Sequence, residues 1–193
     1  MKIVVLGLQG AFLEHVGCVE RAMAEMGIKG SVVLGKVPAD FEDADGIILP
    51  GGESTTISRL LRSSGLWDVL KNSKAAILAT CAGMVLVSSG GDAQCAHTGG
   101  LLGLIGMKVN RNAFGRQIES FEEDIEISGL GKFHGIFIRA PCIESLDDPE
   151  ARVIGTFDGR IVAVEKGNIL ALAFHPELGD DLRLHKRFLE HAR

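Results

Sequence analysis

Short runs of apolar and β-branched residues alternate along the first half of the chain with segments whose apolar residues recur at helical spacing. Residues 3–8 predict a buried strand, and further strands are predicted over residues 31–34, 46–49 and 75–79. Residues 12–26 predict a helix that ends at Gly27. Its apolar face consists of Phe12, Val16, Val19, Met23 and Met26. Strands and helices that alternate in this way predict an α/β fold with a parallel sheet.

The second half of the chain is rich in strands. The predicted strands cover residues 108–110, 124–127, 134–139, 152–157, 161–166 and 169–174. Asp158 and Gly159 predict a hairpin turn between two of them, and a last helix is expected over about residues 181–192. Residues 90–106 are rich in glycine and predict a mobile loop. Because no linker or repeat interrupts the pattern, residues 1–193 are expected to form a single domain.

Composition and charge exclude several classes of protein. The chain is 46% hydrophobic, which favours a packed core. Its net charge of −5 argues against a basic nucleic-acid surface. Residues 75–87 form the longest weakly polar run, which is too short to span a membrane. The four cysteines are spaced irregularly without a metal-binding pattern, so we expect free thiols, a cytoplasmic protein, and no metal or organic cofactor.

The segment Ala-Thr-Cys-Ala-Gly-Met around Cys81 is the strongest local signal for chemistry. Cys81 lies between a predicted buried strand and a helix, and Ala82 and Gly83 follow it. Small neighbours are what a nucleophile elbow requires, because the reactive residue occupies a strained turn. The positive end of the following helix would also favour the thiolate. The alternative is that Cys81 is an ordinary buried cysteine, as we expect for Cys18, Cys95 and Cys142.

A base and a carboxylate follow the last predicted strand. His175 and Glu177 flank Pro176, so that His175 can accept a proton from a thiol while Glu177 holds the other ring nitrogen. An ordinary turn at the end of a strand is the alternative. The pairing with Cys81 favours a catalytic site, because both residues follow strands of an open α/β sheet.

The segment Pro50–Ser54 follows another predicted strand. Gly51 and Gly52 allow backbone amides to face a developing negative charge, as an oxyanion hole requires. The alternative is a simple entry into the next helix, with Ser54 or Thr55 as its N-cap.

These motifs occur together with others in a recognisable order. The segments LGLQGAF, LPGGEST, TCAGM, RNAFGRQ, IRAP and FHPEL follow one another across nearly the whole chain. The set resembles the glutaminase subunits of pyridoxal 5'-phosphate synthase, which are class I glutamine amidotransferases. The resemblance implies a flavodoxin-like α/β fold with a mostly parallel central sheet and additional antiparallel strands in the C-terminal half. Residues 92–100 and Gly179 depart from the pattern, away from the three proposed catalytic residues.

The resemblance also implies roles for individual residues. Cys81 would be the nucleophile, His175 the general base and acid, and Glu177 the residue that orients His175. L-glutamine would bind at Gly52, Glu53, Ser54, Arg111, Ile138 and Arg139. The partner would be a separate synthase subunit that receives the ammonia in a hetero-oligomeric complex, and Gln9 and Gly10 would couple the two subunits. For Gln9, the alternative is a polar residue that satisfies local backbone groups.

Three other functions stay open on the residues alone. A glutaminase that serves a different synthase would use the same chemistry, although the GGEST and NAFGRQ segments argue against it. A thiol-dependent protein of another α/β group would have the elbow cysteine without needing His175. A binding module that retains the fold is disfavoured by the presence of Cys81, His175 and Glu177 together.

Overall fold

The structure is a computed structural model in which residues 1–91, 100–111 and 120–193 are described. Three sequence predictions therefore fall partly or wholly outside the described residues. They concern residues 92–99 of the loop expected over residues 90–106, the NAFGRQ segment after Arg111, and the structural role of Cys95.

The described residues form a twelve-stranded sheet and five α-helices. The strands are β1 (Lys2–Leu6), β2 (Ser31–Gly35), β3 (Gly46–Leu49), β4 (Ala76–Thr80), β5 (Ser88–Gly91), β6 (Ile105–Asn110), β7 (Ser120–Ile127), β8 (Gly131–Ile138), β9 (Cys142–Leu146), β10 (Ala151–Phe157), β11 (Arg160–Lys166) and β12 (Ile169–Leu172). The helices are α1 (Phe12–Glu25), α2 (Ser54–Ser63), α3 (Leu66–Lys71), α4 (Ala82–Val87) and α5 (Arg183–His191). Pro38–Phe41 and Pro176–Leu178 form 3₁₀ turns.

The parallel part of the sheet has the order β2-β1-β3-β4-β12. The order reverses between β1 and β3, and such a switch point is where open α/β sheets bind their ligands. This is the flavodoxin-like arrangement, and it confirms the predicted fold class. Residues of β3 and β4 are all buried, which explains why their sequences are continuous apolar runs.

Beyond β12 the sheet continues with antiparallel strands. β11 and β10 follow β12, and then β7 and β8 reach the edge. The predicted hairpin is confirmed between β10 and β11, where Asp158 (φ 48°) and Gly159 (φ 70°) form the turn. β9 pairs with both β11 and β6, and β5 pairs with β6 in parallel.

The described part of residues 90–106 contradicts the prediction of a mobile loop. Gly90 and Gly91 belong to β5, and β6 begins at Ile105. Between them, Leu102 is buried and donates its backbone N–H to the carbonyl of Leu86 at 2.7 Å.

Two groups of helices cover the sheet. α1 packs against α5, and α2 packs against α4. The buried face of α1 consists of His15, Cys18, Val19, Ala22 and Met23, whereas the predicted Phe12, Val16 and Met26 lie at its margin. No helix among the described residues is both long and apolar enough to cross a membrane.

Candidate active site

The carboxyl ends of four neighbouring parallel strands meet at one cavity of about 590 Å³. The segments that follow β1, β3, β4 and β12 bring Gln9, Gly51, Cys81 and His175 to its wall. A cavity of this size can hold a small polar ligand. The predicted site residues that line it are Gln9, Gly10, Gly51, Gly52, Glu53, Ser54, Cys81, Arg111, Ile138, Arg139 and His175. Glu177 is buried behind His175.

Cys81 occupies a strained turn between β4 and α4. Its backbone has φ 49° and ψ −103°, a combination that non-glycine residues rarely adopt. The residue is at the N-cap position of α4 and is 8% exposed. The strand-to-helix turn thus has the geometry of a nucleophile elbow.

Gly83 shows why small residues follow Cys81. A Cβ atom at Gly83 would lie 2.1 Å from the carbonyl oxygen of Leu49. The first turn of α4 therefore packs directly on the end of β3, and this contact keeps the Cys81 turn at the sheet edge.

His175 and Glu177 form a hydrogen-bonded pair. The 3₁₀ turn that begins at Pro176 brings Glu177 back to His175, and Nδ1 lies 2.7 Å from Oε1 of the carboxylate. The backbone N–H of His175 donates to the carbonyl of Ile136 in β8 at 2.8 Å. Because both side chains are buried, the orientation of the imidazole is fixed from two sides.

The pKa of His175 is raised to about 10. Burial alone would lower it, but hydrogen bonds to Cys81 and Glu177 and the negative charges of both groups outweigh burial. The raised pKa favours the imidazolium form of His175, and the ring lies beside the Cys81 side chain. The arrangement is suited to a thiolate–imidazolium pair.

The segment from Gly51 to Glu53 packs against the reactive groups. A Cβ atom at Gly51 would lie 2.4 Å from Cε1 of His175 and 3.3 Å from Cβ of Cys81. Gly10, at φ 109°, approaches the other side so closely that a Cβ there would lie 1.7 Å from the Gly51 carbonyl oxygen. Glycine is therefore required at both positions.

Gln9 holds this segment by a hydrogen bond. Its Oε1 accepts the backbone N–H of Glu53 at 2.8 Å. The same oxygen would lie 2.5 Å from a Cβ atom at Gly52, so the side chain is packed against the loop. Gln9 thus links the end of β1 to the loop after β3.

Glu53, and not Ser54 or Thr55, caps α2, so the predicted N-cap was wrong. The Glu53 carboxylate accepts the backbone N–H groups of Thr55 at 3.0 Å and Thr56 at 2.7 Å. Burial would raise its pKa, but these bonds and the Thr56 hydroxyl lower it to about 2. Both carboxylate oxygens are thus engaged by the helix that follows.

The opposite wall of the cavity comes from β6, β8 and the residues after them. Nη2 of Arg111 lies 3.2 Å from Oε1 of Glu53. The carbonyl oxygen of Ile138 lies 3.8 Å from the Cys81 sulfur. Arg139 follows with φ 44°, another strained backbone position at the cavity.

Comparison with known proteins shows which family the chain belongs to. Residues 5–193 match the profile of the SNO glutamine amidotransferase family. The chain belongs to this family. A curated pyridoxal 5'-phosphate synthase subunit PdxT from Methanosarcina barkeri is 48% identical, over 98% of this chain and 97% of the relative.

Further relatives extend the match. The PdxT subunit from Archaeoglobus fulgidus is 46% identical over 98% of both chains. A crystal structure of a glutamine amidotransferase superposes with a TM-score of 0.86 at 40% identity, covering 98% of each chain. The resemblance seen in the sequence motifs is therefore confirmed for the family and the fold.

Sequence reasoning missed several residues of the cavity and its surroundings. Ala11, Ala82, Val85, Ser120 and Pro141 also line the cavity. Val85 follows Cys81 by one helical turn, so the spacing along α4 would have indicated it. His15 was missed as well, although it lies behind Glu177 at 3.3 Å. Its position one helical turn before Val19, on the apolar face of α1, was an available signal.

Proposed function

We propose that this amidotransferase hydrolyses L-glutamine to L-glutamate and ammonia through Cys81, His175 and Glu177. The observation that carries the proposal is the Cys81 elbow beside a histidine whose Nδ1 lies 2.7 Å from Glu177. In this arrangement a base adjoins the nucleophile and a carboxylate orients the base.

The first half of the reaction forms a thioester. The Cys81 thiolate attacks the side-chain amide carbon of glutamine, and the carbonyl oxygen becomes an oxyanion that backbone amides of Gly51 and Gly52 stabilise. His175, protonated on the nitrogen that faces Cys81, donates its proton to the leaving nitrogen. The carbon–nitrogen bond then breaks, and ammonia leaves a glutamyl thioester on Cys81.

The second half regenerates the enzyme. His175, now neutral, accepts a proton from water while the water oxygen attacks the thioester carbon. The carbon–sulfur bond breaks, glutamate leaves, and the proton on His175 restores the imidazolium beside the Cys81 thiolate. Glu177 keeps Nδ1 of His175 as a donor throughout the cycle.

The substrate is held by the two walls of the cavity. We assign the α-carboxylate of glutamine to an arginine, Arg111 or Arg139, since guanidinium groups bind carboxylates through paired hydrogen bonds. Gly52, Glu53, Ser54 and Ile138 complete the binding site. The engagement of Glu53 with α2 favours a role in shaping the loop over direct attraction of the substrate amino group.

The ammonia is supplied to a synthase that makes pyridoxal 5'-phosphate. Support comes from the curated relatives, which are named as subunits of pyridoxal 5'-phosphate synthase and match along nearly their whole length. The partner is therefore a separate synthase subunit in a hetero-oligomeric complex.

Replacement of the nucleophile tests the reaction. Cys81→Ala should abolish ammonia release from glutamine, because the other groups cannot form the thioester; we expect a loss of at least about 10³-fold. Ammonia is measured for the chain alone and mixed with the pyridoxal 5'-phosphate synthase subunit.

The matched control is Cys142→Ala, which also removes a buried thiol but from β9. Glutamine hydrolysis retained in Cys81→Ala would overturn the mechanism. If hydrolysis depends on Cys81 but is the same with and without the synthase subunit, the protein is still a glutaminase, but it serves a different synthase.

Gln9 and Gly10 are proposed to couple the glutaminase to the synthase. Gln9→Ala removes the acceptor of the Glu53 N–H, so the loop over Cys81 loses its link to β1. We expect synthase-stimulated turnover to fall about tenfold, the scale of one lost hydrogen bond. The thermal midpoint should change little. If the folded variant keeps the synthase-stimulated turnover of the wild type, Gln9 only accepts the backbone N–H of Glu53 and does not couple the subunits.

A further inference from the structure

Two fully buried histidines lie behind Glu177, on the side away from the cavity. His15 comes from α1 and His185 from α5, and both are 0% exposed. Nδ1 of His15 lies 3.1 Å from Nε2 of His185. Nε2 of His15 lies 3.1 Å from Oγ1 of Thr80 and 3.3 Å from Oε2 of Glu177. A continuous polar contact thus runs from His185 through His15 to the Glu177 carboxylate.

The Glu177 carboxylate uses its two oxygens differently. Oε1 is bonded to Nδ1 of His175. Oε2 is buried and has no hydrogen-bond partner within the described parts of the chain, and Nε2 of His15 faces it. A buried carboxylate oxygen without a donor is destabilising, so the protonation of His15 matters directly to Glu177.

Both rear histidines are neutral at pH 7. Burial lowers the pKa of His15 well below its usual value, and the nearby His185 and His175 lower it further. Burial also lowers the pKa of His185 to about 4, with a smaller contribution from Arg21. Each ring therefore carries one N–H, and its position has to be assigned from the contacts.

The contacts distinguish the two arrangements of these protons. If His185 donates from Nε2 to Nδ1 of His15, then His15 carries its proton on Nε2, facing Thr80 and Glu177. In the reverse arrangement, His15 would present a lone pair to the carboxylate. His185 would then carry a proton on Nδ1, a buried atom without an acceptor in the described structure. The first arrangement presents an N–H and not a lone pair to the carboxylate. It also leaves the unpartnered Nδ1 of His185 as a lone pair and not as a buried N–H without an acceptor.

We propose that His15, in the Nε2–H form set by His185, is a positioning residue that holds the Glu177 carboxylate against His175. The proposal deepens the proposed glutaminase function and rests on it. Thr80 shares the His15 N–H and directly precedes Cys81, so the same contact reaches the end of β4. α1 holds Glu177 at a second point as well, where the Cys18 thiol donates to the Glu177 carbonyl at 3.6 Å.

The physical role of His15 follows from its neutrality. A neutral N–H near Oε2 opposes rotation of the carboxylate away from His175. It adds no positive charge that would compete with the imidazolium for Glu177. Each time His175 gains or loses its proton, Glu177 would therefore stay in place.

Two amide substitutions of His15 separate this role from simple packing. His15→Gln can place an amide N–H near the position of Nε2, whereas His15→Asn reaches only the position of Nδ1. We expect kcat to fall about tenfold to hundredfold in His15→Asn. Losses of this size occur in metal sites when a residue that hydrogen-bonds a metal-binding side chain is removed. KM should stay within about twofold, and His15→Gln should recover most of kcat.

The assay is glutamine hydrolysis in the presence of the synthase subunit. The matched control is His134→Gln, which replaces an exposed histidine of β8 that pairs with Glu122 and Asp124. His15→Asn and His15→Gln that are equally active, or equally impaired, would overturn the positioning role. Cys81→Ala is run in parallel, because activity retained there would instead refute the proposed function.

Nitrogen NMR tests the tautomer without any activity measurement. In the wild-type protein at pH 7, His15 and His185 should each show a protonated, pyrrole-type Nε2 and an unprotonated, pyridine-type Nδ1. Assignment uses the loss of signals in the His15 and His185 variants. A protonated Nδ1 on His15, or an imidazolium on either ring, would overturn the proposal whatever the activity of the enzyme.

Discussion

The parallel and antiparallel parts of the sheet contribute different things to the cavity. The proposed catalytic residues and the proposed oxyanion-hole glycines all lie in segments that follow parallel strands. Neighbouring parallel strands end at the same edge of the sheet, so these segments meet at one cavity. The antiparallel part contributes Ser120, Ile138 and Arg139, which form a wall. The proposed reactive groups therefore follow parallel strands, whereas the antiparallel part supplies the facing wall, which includes the strained backbone of Arg139.

The two parts also place their buried charges differently. The parallel part has Glu177 and His175 at the cavity edge. The antiparallel part has Glu165 in β11, which is 2% exposed. Glu165 pairs with Leu170 near the start of β12, whereas the cavity lies beyond the carboxyl end of β12. Glu165 is bonded to Arg152, Arg187 and His191, and none of the four lines the cavity. This difference predicts that substitutions in the two parts can separate activity from stability.

Among substitutions that test the difference between the two parts, the largest effect is expected from Gly83→Ala in the parallel part. The added methyl group would meet the Leu49 carbonyl at 2.1 Å, and both atoms belong to the backbone framework, so α4 must shift from β3. We expect a loss of up to about 3 kcal/mol in the free energy of unfolding. Displacement of Cys81 by about 1 Å should also reduce glutamine hydrolysis about 10²-fold.

The measurement is urea denaturation together with the ammonia assay. Gly17→Ala in α1 is the matched control, because a Cβ atom there would meet nothing within 4 Å. It should stabilise the protein by about 0.5–1 kcal/mol, as alanine does when it replaces glycine in a helix. If Gly83→Ala were as stable and active as Gly17→Ala, close packing of α4 on β3 would not determine the Cys81 turn.

Much of the parallel part could be predicted from sequence. The strands before Pro50, Thr80 and His175 are apolar runs that end at glycine, proline or small residues, so the strand ends and the elbow were predictable. Their bounds shifted by one or two residues; for example, β1 ends at Leu6 and β12 at Leu172. The side chains at the cavity follow directly from the strand ends.

Other features could not be predicted because their signals are short or ambiguous. α3 has six residues, fewer than two turns, so it shows little helical periodicity. β9 was missed between Pro141 and an acidic segment. Glu53 precedes three residues with hydroxyl groups, which are common N-caps, and only the structure shows that its longer side chain reaches Thr55 and Thr56.

The rear histidines illustrate a different difficulty. His15 and His185 both lie at helical spacing with apolar residues, Val19 for the first and Phe188 and Leu189 for the second. Spacing indicates burial but not the partner. The contact with Glu177 joins positions far apart in the chain, and only the packing of α1 against α5 and against the 3₁₀ turn of Glu177 brings them together.

A smaller effect, on stability alone, is expected from Glu165→Gln in the antiparallel part. Burial would raise the pKa of Glu165, but its bonds to Arg187 and Arg152 lower it, so the folded state favours the carboxylate. Loss of this charge leaves Arg187 without its ionic partner there. We expect a decrease of about 1–2 kcal/mol in the free energy of unfolding at pH 7. Glutamine hydrolysis should be unchanged, because Glu165 is away from the cavity.

The pH dependence of this decrease has a definite sign. A carboxyl group whose pKa is lower in the folded state stabilises the fold fully above its unfolded pKa of about 4.3, and this stabilisation is lost as the pH falls through the folded value. The difference between wild type and Glu165→Gln should therefore be fully present near pH 5 and shrink on further acidification. His15 and His185 titrate in both proteins, so their contributions cancel. If the difference in the free energy of unfolding persists unchanged at low pH, the loss of stability comes from packing and not from the charge of Glu165. If Glu165→Gln lowers kcat at constant KM, the antiparallel part also positions the reactive groups.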